Sequence, residues 1–173
     1  MHRIETAALT LEPQLAAHAE EMFAVLSDPA LYAYENEPPR SIEWLRARLA
    51  KLESRRSPDG QEQWLNWVIR LPSSRLIGYV QATLRSNGEA AIAYVLSSAY
   101  WGRGLARQAV DAMIVELVER YRVRRLWAVF KCENQRSMRL LERLGFSLAS
   151  YEEHVERQVE AGELLMQRNI QCT

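Results

Sequence analysis

The sequence predicts a mixed α/β domain, and three observations carry that prediction. Between residues 64 and 96, apolar side chains recur with a period of two in three runs separated by turn residues, the mark of half-buried strands. The next stretch, 104–121, changes to helical spacing and keeps one long apolar face. Strand-like and helix-like segments then alternate to the end of the chain, which places helices against a sheet.

Taken in order, residues 6–11 form a short strand closed by Pro13. Residues 14–26 carry Leu15, His18, Ala19, Met22, Phe23 and Leu26 near helical spacing, and Asp28-Pro29 ends that helix. An irregular loop follows, through Tyr32, Tyr34, Glu35, Glu37 and Pro38-Pro39. Ser41 caps a second helix whose Leu45, Leu49 and Leu52 share one face, until Ser57-Pro58-Asp59-Gly60 breaks the chain. Strands at 64–71, 76–84 and 90–96 are joined by Pro72-Ser73-Ser74 and Ser86-Asn87-Gly88, an antiparallel meander. The long helix turns Leu105, Ala109, Val110, Met113, Ile114, Leu117, Val118 and Tyr121 inward. It sets Arg107–Asp111 and Glu116–Arg120 as (i, i+4) pairs outside that face. A strand at 126–130, a short helix at 135–144 ended by Gly145, a strand at 146–155 and a last hairpin turning at Ala161-Gly162 complete the order.

At 173 residues the chain suffices for one domain, 1–173, and is too short to demand two. It can bury roughly two thirds of its unfolded surface, so folding requires neither metal nor disulfide. Hydrophobic residues at 48% and charged residues at 25% exclude wholesale disorder. Lys+Arg and Asp+Glu both number 22, and a zero net charge argues against a protein that coats nucleic acid or lies on an anionic membrane. Cys132 and Cys172 make no disulfide framework, and the first residues lack the apolar core of a signal peptide. The longest stretch free of charged side chains is 13 residues, 90–102, too short to span a bilayer. The expectation is a soluble cytoplasmic domain with no nucleic-acid or membrane partner. His2, His18 and His154 show no metal-ligand spacing, so no metal is expected.

The segment 94–107 is the most informative: a strand ending Tyr94-Val95-Leu96, a turn, then Trp101-Gly102-Arg103-Gly104 opening into the long helix at Leu105-Ala106-Arg107. The first amides of a helix have no intrahelical acceptor, and its dipole adds about half a positive charge there. Two glycines let the backbone approach a bulky anion, which is how a diphosphate is held without a dedicated lysine. A Cβ at Gly104 would stand where that anion must come, and the fold should suffer less than binding because this helix entry lies outside the core. Two nucleotide classes fail on spacing. A P-loop needs Gly-Lys-Ser/Thr and here Gly104 precedes Leu105-Ala106, while a dinucleotide fingerprint needs a third glycine where Arg107 stands.

Thirty residues beyond Gly104 comes Asn134-x-x-Ser137, and then Leu144-Gly145-Phe146. Together with the Trp101-Gly102-Arg103-Gly104-Leu105-Ala106 loop, these motifs closely resemble the GNAT superfamily of acyl-CoA-dependent N-acyltransferases. They look most like its ribosomal-protein N-terminal acetyltransferase branch. The resemblance implies a GNAT fold, a mostly antiparallel central sheet of six to seven strands flanked by about four helices. It implies acetyl-CoA as cosubstrate, and an amine acceptor that is either a protein N-terminus or a small molecule. It implies that backbone groups of Tyr94, Val95 and Leu96 pair with the pantetheine arm. It also implies that the loop amides of Trp101, Gly102, Arg103, Gly104, Leu105 and Ala106 cradle the pyrophosphate, with Arg107 in the first helical turn, and that Asn134 bonds the arm. The residues alone read Asn134 as an N-cap of the next helix, and the two roles are compatible.

Many family members carry a tyrosine acid four residues before the Leu-Gly-Phe glycine, where this chain has Leu141. Ser137 is the substitute seen in the resembling branch, with hydrogen bonding to the sulfur as its expected role. Branch members often carry a carboxylate base where this chain has Ala91, which leaves Glu35 and Glu37 to face the acceptor, Glu35 being the first choice. Tyr32, Tyr34 and Trp44 are candidates for an acceptor pocket or for core packing. The basic cluster Arg120, Arg122, Arg124 and Arg125 solvates a helix end, with the 3′-phosphate of CoA as a second candidate partner. The absences at Leu141 and Ala91 keep open a CoA-binding module without turnover. Exposed strand edges in the C-terminal hairpin leave room for a homodimer.

Overall fold

The computed structural model describes residues 1–34 and 37–170. A first short hairpin pairs β1 (Ile4–Glu5) with β2 (Thr10–Pro13). Two helices follow, α1 (Ala19–Leu26) and α2 (Ile42–Leu52). The meander is β3 (Glu62–Arg70), β4 (Leu76–Arg85) and β5 (Glu89–Leu96), antiparallel throughout. Then come α3 (Leu105–Tyr121), β6 (Arg125–Lys131), α4 (Gln135–Arg143), β7 (Ser147–Leu148), α5 (Tyr151–Glu156) and β8 (Glu163–Asn169). All eight strands form one sheet in the order β1-β2-β3-β4-β5-β6-β8-β7, with β5–β6 its one parallel pair. Among the described residues this gives eight strands and five α-helices, somewhat more than the six to seven strands and four helices expected.

Alternation assigns the two sheet faces. Ala90, Ile92 and Leu96 of β5 and Leu126, Ala128 and Phe130 of β6 share a core with Ala109, Val110, Met113, Ile114 and Leu117 of α3. The opposite face of β3 and β4, through Val68 and Leu76, packs on Ala19, Met22 and Val25 of α1 and Leu45 and Leu49 of α2. Glu116 departs from its expected exposure. It is buried against Arg120 at 3.2 Å and His2 at 3.3 Å, so the N-terminal segment folds over that flank of α3.

Three further expectations are corrected. The strand at 6–11 divides into β1 and β2 because the Thr6 hydroxyl accepts from the Leu9 amide at 3.1 Å and donates to its carbonyl at 2.8 Å, closing a turn between them. The helix at 14–26 starts as a single 3₁₀ turn, Ala16–His18, before α1. The strand at 146–155 survives only as β7. From Ser150 the chain is α5, closed by reciprocal Ser150–Glu153 capping, so β8 reaches its place beside β6 from a helix and not from a hairpin partner.

The feature that creates a site is the parallel pair. Its ladder joins Glu89, Ala90 and Ala91 to Arg125, Leu126 and Trp127 and stops there, although β5 runs on to Leu96 and β6 to Lys131. Past Ala91 the two central strands part, and the sheet opens as a wedge.

Candidate active site

The wedge leads into a cavity of about 420 Å³ between the end of β5, the entry of α3 and one face of α4 along its whole length. Ten of the eleven residues expected to meet the cofactor line it: Tyr94, Val95, Leu96, Trp101, Gly102, Gly104, Leu105, Ala106, Arg107 and Asn134. Ser137 lines it as well. The exception is Arg103, whose guanidinium lies 5.3 Å from the Tyr100 ring centre and outside the lining.

The glycines have a conformational reason to be there. Gly102 and Gly104 sit at φ +76 and +74, the left-handed region, and a Cβ built on either meets nothing within 4 Å. Both therefore border open space and leave the entry of α3 bare. Gly104 is the N-cap of α3, its carbonyl accepting from Gln108 N at 3.1 Å, so the first-turn amides of Leu105, Ala106 and Arg107 lie at the cavity with no helical acceptor. The Trp101 indole donates to the Leu96 carbonyl at 2.7 Å and takes the Arg136 guanidinium 4.0 Å from its ring centre. That carbonyl is thus already engaged.

On α4, Asn134 accepts from Ser137 N at 3.1 Å, an N-cap that uses its oxygen and leaves its NH₂ to donate. Arg136, Arg139, Leu140 and Arg143 also line the cavity and were not singled out in the sequence. Their i, i+3, i+4, i+7 spacing is one helical face, a legible signal once α4 is placed. With Arg107 they bring four guanidiniums to a single rim, which suits a multiply charged anion. The cluster at Arg124 and Arg125 belongs to the other end of the sheet. Arg124 donates to Asn87 O at 3.2 Å, and Arg125 is taken up by Glu153, Gln167 and, at 3.5 Å, Glu89. None of Arg120, Arg122, Arg124 and Arg125 lines the cavity, which favours the reading of that cluster as a solvated helix end over a contact with a CoA phosphate.

The expected base Glu35 lies outside the described residues. Glu37 is exposed, as is Trp44, while Tyr32 donates to Leu26 O at 2.6 Å. Tyr34 does line the cavity, with Ala30 and Leu31. Glu89 begins the β5–β6 ladder behind the wedge, and its ion pairs tie it up: Arg157 at 2.8 Å and Arg125 at 3.5 Å. Burial pulls its carboxyl upward, but the Arg157 hydrogen bond and charge outweigh that and hold it below the ordinary range, the wrong direction for a base. Among the described residues no group of His, Cys, Asp and Glu has metal-binding geometry, and no helix is long and apolar enough to cross a membrane.

The wall formed by Ala30, Leu31 and Tyr34 is held by Asp28. Its carboxylate accepts from Ala30 N and from Ser98 N, each at 3.0 Å, joining the 3₁₀ turn Pro29–Tyr32 to the loop that leaves β5. The Ser98 side-chain hydrogen bond, ahead of the backbone ones, holds Asp28 below its ordinary value. An unfolded Asp titrates near ~3.9, so a depressed folded value adds stability that is complete above that pH and is lost as the pH falls through the folded value. Wild type should therefore melt above Asp28→Asn at pH 7, and the gap should close on acidification below pH ~3.9. A gap independent of pH in thermal melts would show that the charge of Asp28 does not hold this wall.

The acetyltransferase (GNAT) domain profile matches residues 8–147. The uncharacterized N-acetyltransferase p20 of Bacillus licheniformis is 26% identical over 148 residues, covering 84% of this chain and 83% of that protein. The structure of RimL, a ribosomal L7/L12 alpha-N-protein acetyltransferase in complex with coenzyme A, superposes with a TM-score of 0.80 at 19% identity, over 98% of each chain. A spermidine N-acetyltransferase SpeG chimera from Vibrio cholerae and hSSAT superposes with a TM-score of 0.74 at 19% identity, over 93% of this chain and 95% of that one. The two superpositions show a shared fold, and the match over residues 8–147 shows more: the chain belongs to the GNAT acetyltransferase family.

Proposed function

We propose that this protein transfers the acetyl group of acetyl-CoA to a primary amine, by direct attack of the neutral amine on the thioester, in the cytoplasm. One observation carries the reading: the bare, glycine-lined entry of α3 faces the same cavity into which the parting of β5 and β6 opens. The residues fit the cosubstrate. Amides after Gly104 and the guanidiniums of Arg107, Arg136, Arg139 and Arg143 would hold its phosphates, Tyr94, Val95 and Leu96 would flank the arm, and Asn134 would donate to it. Arg103 would serve through its backbone amide alone, because its side chain lies on Tyr100.

The acceptor approaches from the opposite sheet face. Ala93 is exposed there in the middle of a central strand, so among the described residues that side of the wedge is open at this position. Ser137 is the hydroxyl proposed to bond the sulfur, and Glu35, next in the chain to the cavity-lining Tyr34, is the carboxylate proposed as base. Acceptors of both protein and small-molecule kinds stay within this reading.

Release of free CoA thiol is the test, with N-terminal peptides, polyamines and amino acids as acceptors. Turnover with at least one amine is expected. Melts run beside it should rise by about 5–10 °C with acetyl-CoA at 100 times its dissociation constant and stay unchanged with NAD or ATP. A rise with ATP alone overturns the reading. Acetyl-CoA binding without turnover on any amine makes the protein a CoA-binding module.

A further inference from the structure

Four residues that carry a hydroxyl line the cavity, Tyr34, Tyr94, Tyr100 and Ser137. Tyr34 is 43% exposed, so water competes for its hydroxyl. Tyr100 is turned toward surface arginines, its oxygen accepting from Arg75 at 3.4 Å and its ring facing Arg103. Tyr94 differs from both. It rises from β5 on the face that packs α3, with its ring against the main core, and its hydroxyl reaches the first turn of α4. There it donates to the Ser137 carbonyl at 3.4 Å, the outer limit of a hydrogen bond, and interacts with the Ser137 side chain. Its single O–H is held only by this long bond, so turning it to another acceptor gives up little. Its ring is fixed by packing, so aiming it at a reacting atom costs little reorganisation.

We propose that Tyr94 is a catalytic residue, donating a hydrogen bond together with Ser137 to the sulfur that leaves during acetyl transfer. This rests on the reading that the cavity holds acetyl-CoA. In the step, the amine nitrogen bonds to the thioester carbonyl carbon, and the carbon–sulfur bond breaks with its electron pair on sulfur. The nitrogen loses a proton to the base or to water, and sulfur acquires one from solvent, giving amide and free thiol. Burial raises the Tyr94 phenol to about 12, with the Ser137 side chain pulling slightly the other way. That is far above a thiol, near ~8.5. The phenol proton therefore stays on oxygen, and the contribution of Tyr94 is stabilisation of the charge growing on sulfur.

Tyr94→Phe keeps the ring and removes the donor. We expect kcat to fall about 10- to 100-fold while KM for acetyl-CoA stays within about twofold. A second readout does not involve turnover. CoA and desulfo-CoA are titrated calorimetrically at pH 9, where the thiol is largely ionised. Wild type should prefer CoA by about fivefold, the ratio one net hydrogen bond gives, and Tyr94→Phe should lose most of that preference. Wild-type kcat or an undiminished preference in Tyr94→Phe overturns the role of Tyr94 alone. A wild-type protein that binds neither ligand overturns the assignment of the cavity, and the proposal with it. Should Tyr94→Phe not fold, 3-fluorotyrosine at position 94 must shift its ¹⁹F resonance with CoA and not with desulfo-CoA, equal shifts overturning the proposal.

Discussion

Gly78→Ala is expected to cost about 3 kcal/mol or more of stability, the upper end of what overpacking does, and to impair CoA binding in whatever remains folded. A Cβ built on Gly78 falls 2.1 Å from the Val95 carbonyl oxygen and 3.0 Å from Leu96 Cα. Both neighbours are backbone, so no rotamer change relieves the contact. The only escape is to lift the end of β5 off β4, where the register pairs Gly78 with Leu96 and the Ser97 amide bonds Ile77 O at 2.8 Å. Each lost ladder bond adds about 1 kcal/mol, and the residues displaced are the ones that line the cavity. Urea melts should show a lower midpoint at an unchanged slope, and Tm should fall by about 6–12 °C. Gly60→Ala is the control: φ is +72 and nothing lies within 4 Å, so it costs only the left-handed strain of about 1–2 kcal/mol. If the two variants melt alike, the Val95 carbonyl does not lie against the α-carbon of Gly78.

The contrast between these two glycines explains what sequence reading reaches in this fold. Alternation made the meander legible, because each of β3, β4 and β5 buries a face and a one-residue slip would expose it. It could not reveal that Gly78 carries a carbonyl against its α-carbon, since β4 shows no turn signal there. The tail failed for a different reason. Phe146 and Leu148 fit a period of two, Tyr151 and Val155 fit a helical period of four, and a run read with one period hides the other. The capping signal Ser150-x-x-Glu153 was present and would have settled the boundary.

The cavity was legible where local chemistry specified it. Gly102 and Gly104 need positive φ and the helix entry needs an acceptor, both of which can be stated from a dozen residues. Arg103 and Arg136 could not be sorted the same way. Each is an arginine near an aromatic ring, and only the packing of α4 on the loop puts one inside the lining and the other outside. The Asp28–Ser98 contact spans 70 positions and the Tyr94–Ser137 contact 43, and nothing in either neighbourhood announces its partner. Such contacts are made by topology.

Gly104→Val should weaken CoA binding by one to two orders of magnitude, roughly 1.4–2.8 kcal/mol. The side chain would grow from the N-cap of α3 into space that is empty of protein, beside the first-turn amides that an anion would use. The apo fold, at a helix entry outside the core, should suffer less than binding without escaping altogether. At φ +74 a β-branched residue is strained, and the apo protein should lose about 1–2 kcal/mol as well. Affinity and stability must therefore be measured separately, by CoA titration at a temperature where each variant is folded and by urea melts without ligand. Gly60→Val supplies the comparison, because its φ of +72 imposes the same strain in a loop away from the cavity. It should lose similar stability and keep its affinity for CoA. Gly104→Ala should lie between wild type and Gly104→Val in affinity, since a methyl group narrows the approach less than an isopropyl group. If Gly104→Val binds CoA as wild type does while folded, the loop before α3 does not hold the phosphates. If Gly60→Val loses affinity in parallel, the loss at position 104 reports strain and not an obstructed site.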